Sequence, residues 1–380
     1  MLTEIFMQVN MVKLNQLKKV LKMKLLEPKK IGNLILSNSM AMAPMTRARS
    51  ENNGTVNDLN VLYYTQRASA GLIITEGINI SEQAKGSPFT PGIFMEAQIE
   101  SWQKVTDAVH QNGGKIFAQL WHTGRVGHSI DRNGVLAVAP SALAIEGQQH
   151  FTSQGMKAYE VPRALETNEV KHIVQDYKHA AINAIKAGFD GVELHAATGY
   201  LPNQFLAESA NQRTDEYGGN IENRSRFILE VMQEMAAAIG EDKVGIKLSP
   251  SIPFNSILDS DPIATYSYLI KELNHLPLAY IHLMNALFLP EEGLEQYPRD
   301  VMGTLGTLTK HLIIANAGYT RETGEQELEK GIAQIISFGV PFIANPDLPK
   351  RFEQNATLNE PDRATFYGGN EKGYTDYPTL

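Results

Sequence analysis

Gly191-Val192-Glu193-Leu194-His195-Ala196-Ala197-Thr198-Gly199-Tyr200 is an apolar run that stops at an imidazole, a hydroxyl and a phenol. Strands of a (β/α)8 barrel end this way, because the catalytic groups of that fold sit where parallel strands run out into loops. A single histidine after a strand is more often structural, so the segment gains its weight from what repeats around it. Short apolar runs recur at 40–43, 71–75, 115–120, 191–194, 244–248, 280–283, 312–315 and 332–336. Segments with helical spacing separate most of them, clearest at 99–110, 170–187, 226–239 and 263–273. This alternation of eight β and α units predicts an α/β fold, the TIM (β/α)8 barrel. Gly113, Gly188, Gly240 and Gly331 follow helices, where a left-handed cap is wanted.

A chain of 380 residues, 43% hydrophobic, is long enough for one such barrel with insertions, expected over 23–380. One connection exceeds a plain crossover. It predicts a small capping excursion between strand 3 and helix 3, about 122–167, with the next helix capped at Thr167 or Asn168. Residues 1–22 mix Ile5, Phe6, Leu14 and Leu17 with Lys13, Lys18 and Lys19, and read as an N-terminal extension, helical or disordered. Its apolar runs are too short for a membrane span, and it lacks a signal-peptide core. A formal charge of -8 without a long basic run argues against nucleic acid or anionic membrane as partner. The absence of cysteine excludes disulfides, Cys-ligated iron–sulfur clusters and a cysteine nucleophile. The expectation is a cytoplasmic monomer or homodimer whose partner is a small molecule.

Reading the ends of the strands in turn gives Thr46, Gly77, Gln119, His195 with Tyr200, and Lys247, all directed to one mouth. No nucleophile with a partnered base is evident. His122, His128 and His195 fall on different elements without carboxylate spacing, so no metal site is expected. Donors without a nucleophile suit a bound cofactor that performs the chemistry. In the loops after strands seven and eight, Asn316-Ala317-Gly318-Tyr319 and Phe338-Gly339-Val340-Pro341 are small enough to let backbone N–H groups approach a phosphate. These residues alone leave open a lyase or isomerase acting on a phosphorylated metabolite.

More specific matches are Ala43-Pro44-Met45-Thr46-Arg47, Tyr63-Tyr64-Thr65-Gln66-Arg67, Gln119-Leu120-Trp121, Glu193-Leu194-His195 through Tyr200, Arg213-Thr214-Asp215-Glu216-Tyr217-Gly218-Gly219 and Pro341-Phe342-Ile343-Ala344-Asn345-Pro346. With these the chain resembles the Old Yellow Enzyme family of FMN-dependent ene reductases, including the N-ethylmaleimide and 12-oxophytodienoate reductases, from about residue 24 to the C-terminus. The resemblance implies FMN at the barrel mouth and NADPH or NADH as reductant. It implies hydride transfer from flavin N5 to an α,β-unsaturated carbonyl compound, such as an enone or maleimide, with nitro compounds also possible substrates. His195 and Thr198 would hold the carbonyl, and Tyr200 would protonate the α-carbon. Pro44, Thr46, Gly77, Gln119, Lys247, Ala317, Gly318, Gly339 and Val340 would bind the cofactor, and Trp121 and Tyr367 would line the substrate pocket.

Three positions depart from the family pattern. Thr198 stands where Asn or His is usual, Lys247 replaces an Arg near flavin N1 and O2, and Val340 replaces an Arg at the phosphate. Each change weakens recognition of an anion or a carbonyl. The alternative expectation is therefore an attenuated or non-catalytic relative that binds FMN weakly or not at all.

Overall fold

Eight short segments that are mostly apolar on both faces, not alternately, are the signature of strands covered on both sides. The computed structural model, which describes residues 23–287 and 294–380, builds them into a closed parallel barrel. In chain order the strands are β1 (Met40–Met42), β2 (Leu72–Asn79), β3 (Ile116–Trp121), β4 (Gly191–Ala196), β5 (Val244–Leu248), β6 (Tyr280–Met284), β7 (Ile313–Asn316) and β8 (Ile335–Phe338). Each pairs with its sequence neighbour, and β8 closes on β1. All their residues are buried.

The eighth strand is displaced from the expected 332–336 to Ile335–Phe338, because Gln334 turns its amide back to cap β7 at the Ile313 amide. The second runs past its expected end. A register shift between Ile74 and Gly77 lets β2 continue to Asn79, so Gly77 lies within the strand and not after it. His195 likewise belongs to β4 itself.

Helices pack outside. In Thr167–Lys186 the buried residues Val170, Ile173, Val174, Tyr177, Ala180, Ala181 and Ala184 recur at three- and four-residue steps, giving one apolar stripe. Its N-cap is Glu166, one residue before the expected Thr167 or Asn168. Gly113, Gly188 and Gly331 take positive φ of 77°, 87° and 80° at the helix ends. A hairpin of Lys29–Ile31 and Leu34–Leu36 covers the bottom, where Ile31 and Leu36 pack against Phe117, Tyr280 and Ile335.

The excursion after β3 forms a cap. Gln149–Thr152 and Gly155–Ala158 pair antiparallel, while Val138–Ala139 pairs with Arg163–Ala164. Arg125 ties the start of this segment to the loop after β5, donating to the carbonyls of Asn255 and Ser256 at 3.1 and 3.0 Å. His150 Nε2 holds the hairpin to the Gly86 carbonyl at 2.7 Å. The N-terminal extension 1–22, expected as helical or disordered, lies outside the described residues, as do residues 288–293.

Candidate active site

Strand alternation sends Gln119, Glu193, Lys247 and His282 towards the barrel interior near its C-terminal end. A carboxylate there must be paired, and Glu193 is completely buried. Its Oε1 accepts from Gln119 Nε2 at 2.8 Å, and its Oε2 lies 2.8 Å from His282 Nδ1. His282 Nε2 meets Ser337 Oγ at 2.7 Å, and Asn316 Nδ2 donates to the same hydroxyl at 2.7 Å. Five side chains on five strands thus form one hydrogen-bonded chain across the barrel. Burial opposes the charge of Glu193, yet His282, Lys247 and Gln119 outweigh it and hold the carboxyl below its usual range. Burial pushes His282 down, so it is a neutral imidazole that donates to Glu193 and accepts from Ser337.

Lys247 is also buried, and among the described residues no carboxylate pairs with its ammonium within 4.0 Å. Burial lowers its pKa to about 8, with Glu193 opposing across a longer gap. Beside it in the sheet register is His195. Burial, then the nearby Lys247 and His282, push His195 well below the usual imidazole range. Its Nδ1 is buried without a hydrogen-bond partner.

Three rings gather above this layer. His195 and Tyr200 lie edge to face with centroids 4.7 Å apart. Trp121 lies 6.2 Å from His195 and 4.9 Å from Tyr200. The indole is pinned by its Nε1, which donates to Asn79 Oδ1 at 2.6 Å. Burial raises the Tyr200 phenol above its usual range, so it keeps its proton at neutral pH. Gly77 has a packing reason of its own: a Cβ there would come within 2.4 Å of the Trp121 ring.

Thr198 has φ of 51°, the left-handed region that a β-branched residue seldom adopts. Its backbone is clamped there, the amide donating to Ser249 Oγ at 2.8 Å and the carbonyl accepting from Asn255 Nδ2 at 2.9 Å. On the other side of the mouth, Pro44 and Thr46 are half-buried beyond β1. Ala317 and Gly318 turn in succession at φ 79° and 78°, and a Cβ on Gly318 would meet nothing within 4 Å. Gly339 and Val340 are half-buried at the start of the short helix Val340–Ala344, whose first turn has no side-chain cap.

Tyr367 is 68% exposed on the C-terminal tail. That tail is held by the segment following Thr46. Arg47 donates to the carbonyls of Phe366 and Gly373 at 2.9 and 2.8 Å. Arg49 donates to those of Thr365, Asn370 and Lys372 at 2.9, 2.9 and 3.2 Å. The Tyr374 ring stacks on Tyr63 at 4.1 Å, with Arg49 4.5 Å from its centroid.

The structure therefore brings Trp121, His195 and Tyr200 into one cluster and sets Gln119 and Lys247 beneath it around Glu193. Among the described residues, no hydrogen bond or ring contact joins Val340 to that group; it lies at the start of the helix Val340–Ala344 after β8. Glu193, His282, Ser337 and Asn79 are participants that the sequence reading passed over. The signal for the first two was a charged or titratable residue inside an otherwise apolar strand.

Residues 24–359 match the NADH:flavin oxidoreductase / NADH oxidase family. The chain belongs to this family. It is 44% identical to 12-oxophytodienoate reductase 1 of Oryza sativa subsp. japonica, over 94% of this chain and 93% of that protein. It is 41% identical to a probable flavin mononucleotide-dependent alkene reductase of Leishmania infantum, covering 94% and 97% of the two chains. Among solved structures, morphinone reductase superposes with a TM-score of 0.89 at 46% identity, covering 94% of this chain and 96% of that one. The Old Yellow Enzyme homologue of Zymomonas mobilis does so with 0.90 at 41% identity, covering 94% and 100%.

The mouth suits a flavin, the group this NADH:flavin oxidoreductase family is named for. A planar, mostly apolar ring with an imide edge wants an oriented amide, a cation for reduced-state charge, and an aromatic wall. Gln119, Lys247 and Trp121 supply these residue types, and His195 Nδ1 is a buried polar atom without a partner among the described residues. Among the described residues no helix is long and apolar enough to cross a membrane.

Proposed function

We propose that the chain is an NAD(P)H-dependent FMN oxidoreductase that reduces electron-poor C=C bonds in enones and maleimides, and also nitro compounds. Bound FMN supplies a hydride at N5, which it has first taken from NADPH or NADH. The observation that carries the reading is the unpartnered, neutral His195 4.7 Å from the protonated Tyr200, with Trp121 as their common wall.

A neutral imidazole donates one hydrogen bond without surrendering its proton, which suits a carbonyl oxygen gaining charge. The Thr198 hydroxyl stands three residues on as a second, shorter donor. Tyr200 holds its proton at the phenolic oxygen for delivery to the α-carbon. Gln119 and Lys247 would hold the pyrimidine end of FMN, Pro44, Thr46 and Gly77 its ring, and the backbone of Ala317, Gly318, Gly339 and Val340 its phosphate end. Tyr367 forms the outer wall for substrate. A solved morphinone reductase complex with tetrahydroNAD supports a nicotinamide as reductant. The protein acts as a cytoplasmic monomer or homodimer on small molecules, with no nucleic-acid partner.

The visible spectrum of the purified protein, with and without added FMN, tests the cofactor. Oxidation of NADPH or NADH dependent on cyclohexenone or N-ethylmaleimide then tests the reaction. Protein that stays colourless with FMN ends this reading. Val340, which brings no cation to the phosphate end, favours a second one, an attenuated relative. Its mark is weak, reversible FMN uptake with little turnover.

A further inference from the structure

Lys247 occupies a place where, among the described residues, a buried cation has no ion-pair partner at contact distance. Strand register sets it beside His195 of β4 and His282 of β6. With Glu193 of β4, these are the titratable groups that face it, and β3 contributes the uncharged Gln119 at Glu193. Both imidazoles are neutral, and Glu193 is already engaged at both oxygens by Gln119 and His282. The layer therefore holds one committed negative charge and one amine whose charge is free to change.

We propose that in alkaline solution Lys247 couples a proton to flavin reduction, standing there as neutral amine while the bound flavin is oxidised and as ammonium once it is reduced. This rests on the flavin reading of the site. The step balances as follows. The nicotinamide gives a hydride, two electrons and one hydrogen, to flavin N5 and leaves oxidised. The flavin thereby gains one negative charge, and the Lys247 amine takes one proton from solvent, so that an ammonium faces the new anion. Two electrons arrive with two protons, one of them inside the hydride. A guanidinium could not do this, because it stays charged throughout the accessible pH range. Burial supports the idea, since it brings the amine down to about 8, within reach of ordinary buffers.

The test is spectroelectrochemical titration of the FMN-loaded protein between pH 6 and 9.5, on the native chain, Lys247→Arg and Lys247→Met. In the native chain, below about pH 8, each pH unit should change the reduction equilibrium tenfold, about 30 mV for a two-electron couple. Above that pH the change should become a hundredfold, about 59 mV per unit. Both variants should keep the tenfold slope throughout, with Arg lying above Met in potential. A single slope in the native chain overturns the proposal. So does a break at the same pH in either variant, which would assign the proton to the flavin or to His282. Failure to take up FMN would instead overturn the flavin reading on which this one stands.

Discussion

Gln119 Nε2 donates to Glu193 Oε1 at 2.8 Å, and this fixes which end of the Gln119 amide is left for a ligand. An ionised carboxylate accepts only, so the amide nitrogen must face it and the Gln119 carbonyl must face away. That carbonyl is an acceptor suited to an imide N–H. Glu193→Gln offers both donor and acceptor and so releases the constraint. It should weaken FMN binding about tenfold, roughly 1.4 kcal/mol, in a fluorescence titration. Unchanged affinity would mean that Gln119 is oriented by the cofactor itself.

Thr198→Asn should improve two properties together. Asparagine tolerates the left-handed φ of 51° better than a β-branched residue, so denaturant unfolding should show a gain of about 1 kcal/mol. Its longer amide should also raise affinity for phenolic or carbonyl ligands, read as a charge-transfer band with bound flavin. A loss of stability would show that the Ser249 and Asn255 clamp, and not the side chain, sets this backbone.

Tyr200→Phe removes the proton and keeps the ring that packs on Trp121. Stopped-flow traces should show flavin reduction by NAD(P)H nearly intact, with alkene reduction slowed by roughly 10²–10⁴. Equal slowing of both half-reactions would reassign Tyr200 to positioning the flavin.

Val340→Arg adds a charged donor at the half-buried start of the helix Val340–Ala344. A charged hydrogen bond contributes about 1.5–3 kcal/mol, so FMN should bind roughly ten- to a hundredfold more tightly. No change would show that backbone groups already satisfy the phosphate.

Lys247 should also leave its mark on the stability of the cofactor-free protein. Its folded pKa of about 8 lies below the ordinary lysine value, so above pH 8 the unfolded chain binds more protons than the folded one. Stability should therefore rise with pH, by about 2 kcal/mol between pH 8 and 9.5. Urea unfolding at several pH values should show this rise in the native chain and lose it in Lys247→Met.

Barrel strands could be read from sequence because strands covered on both faces are mostly apolar instead of alternating. Run 244–248 matched its strand residue for residue, and five others needed only small adjustments at their ends. The eighth was misplaced because Ile332 and Ala333 are as apolar as the strand that follows them, and only the Gln334 cap separates the two. The aromatic edge of the site was legible because His195 and Tyr200 interrupt an apolar run. Glu193 and His282 were not, since their importance lies in meeting each other from strands 89 residues apart. Thr198 was recognised as a short donor, but its strained backbone follows from the fold around Ser249 and Asn255.

Every acceptor that Arg47 and Arg49 grip on the C-terminal tail is a main-chain carbonyl. These hydrogen bonds read the path of the backbone, while Arg47 and Arg49 also engage the Tyr374 ring, 5.0 and 4.5 Å from its centroid. Tyr367 and its exposed neighbours can thus be exchanged while the tail keeps its seat on the barrel. Substrate preference along this wall is separated from folding, so libraries randomised at Tyr367 should yield mostly folded, flavin-competent proteins with altered selectivity.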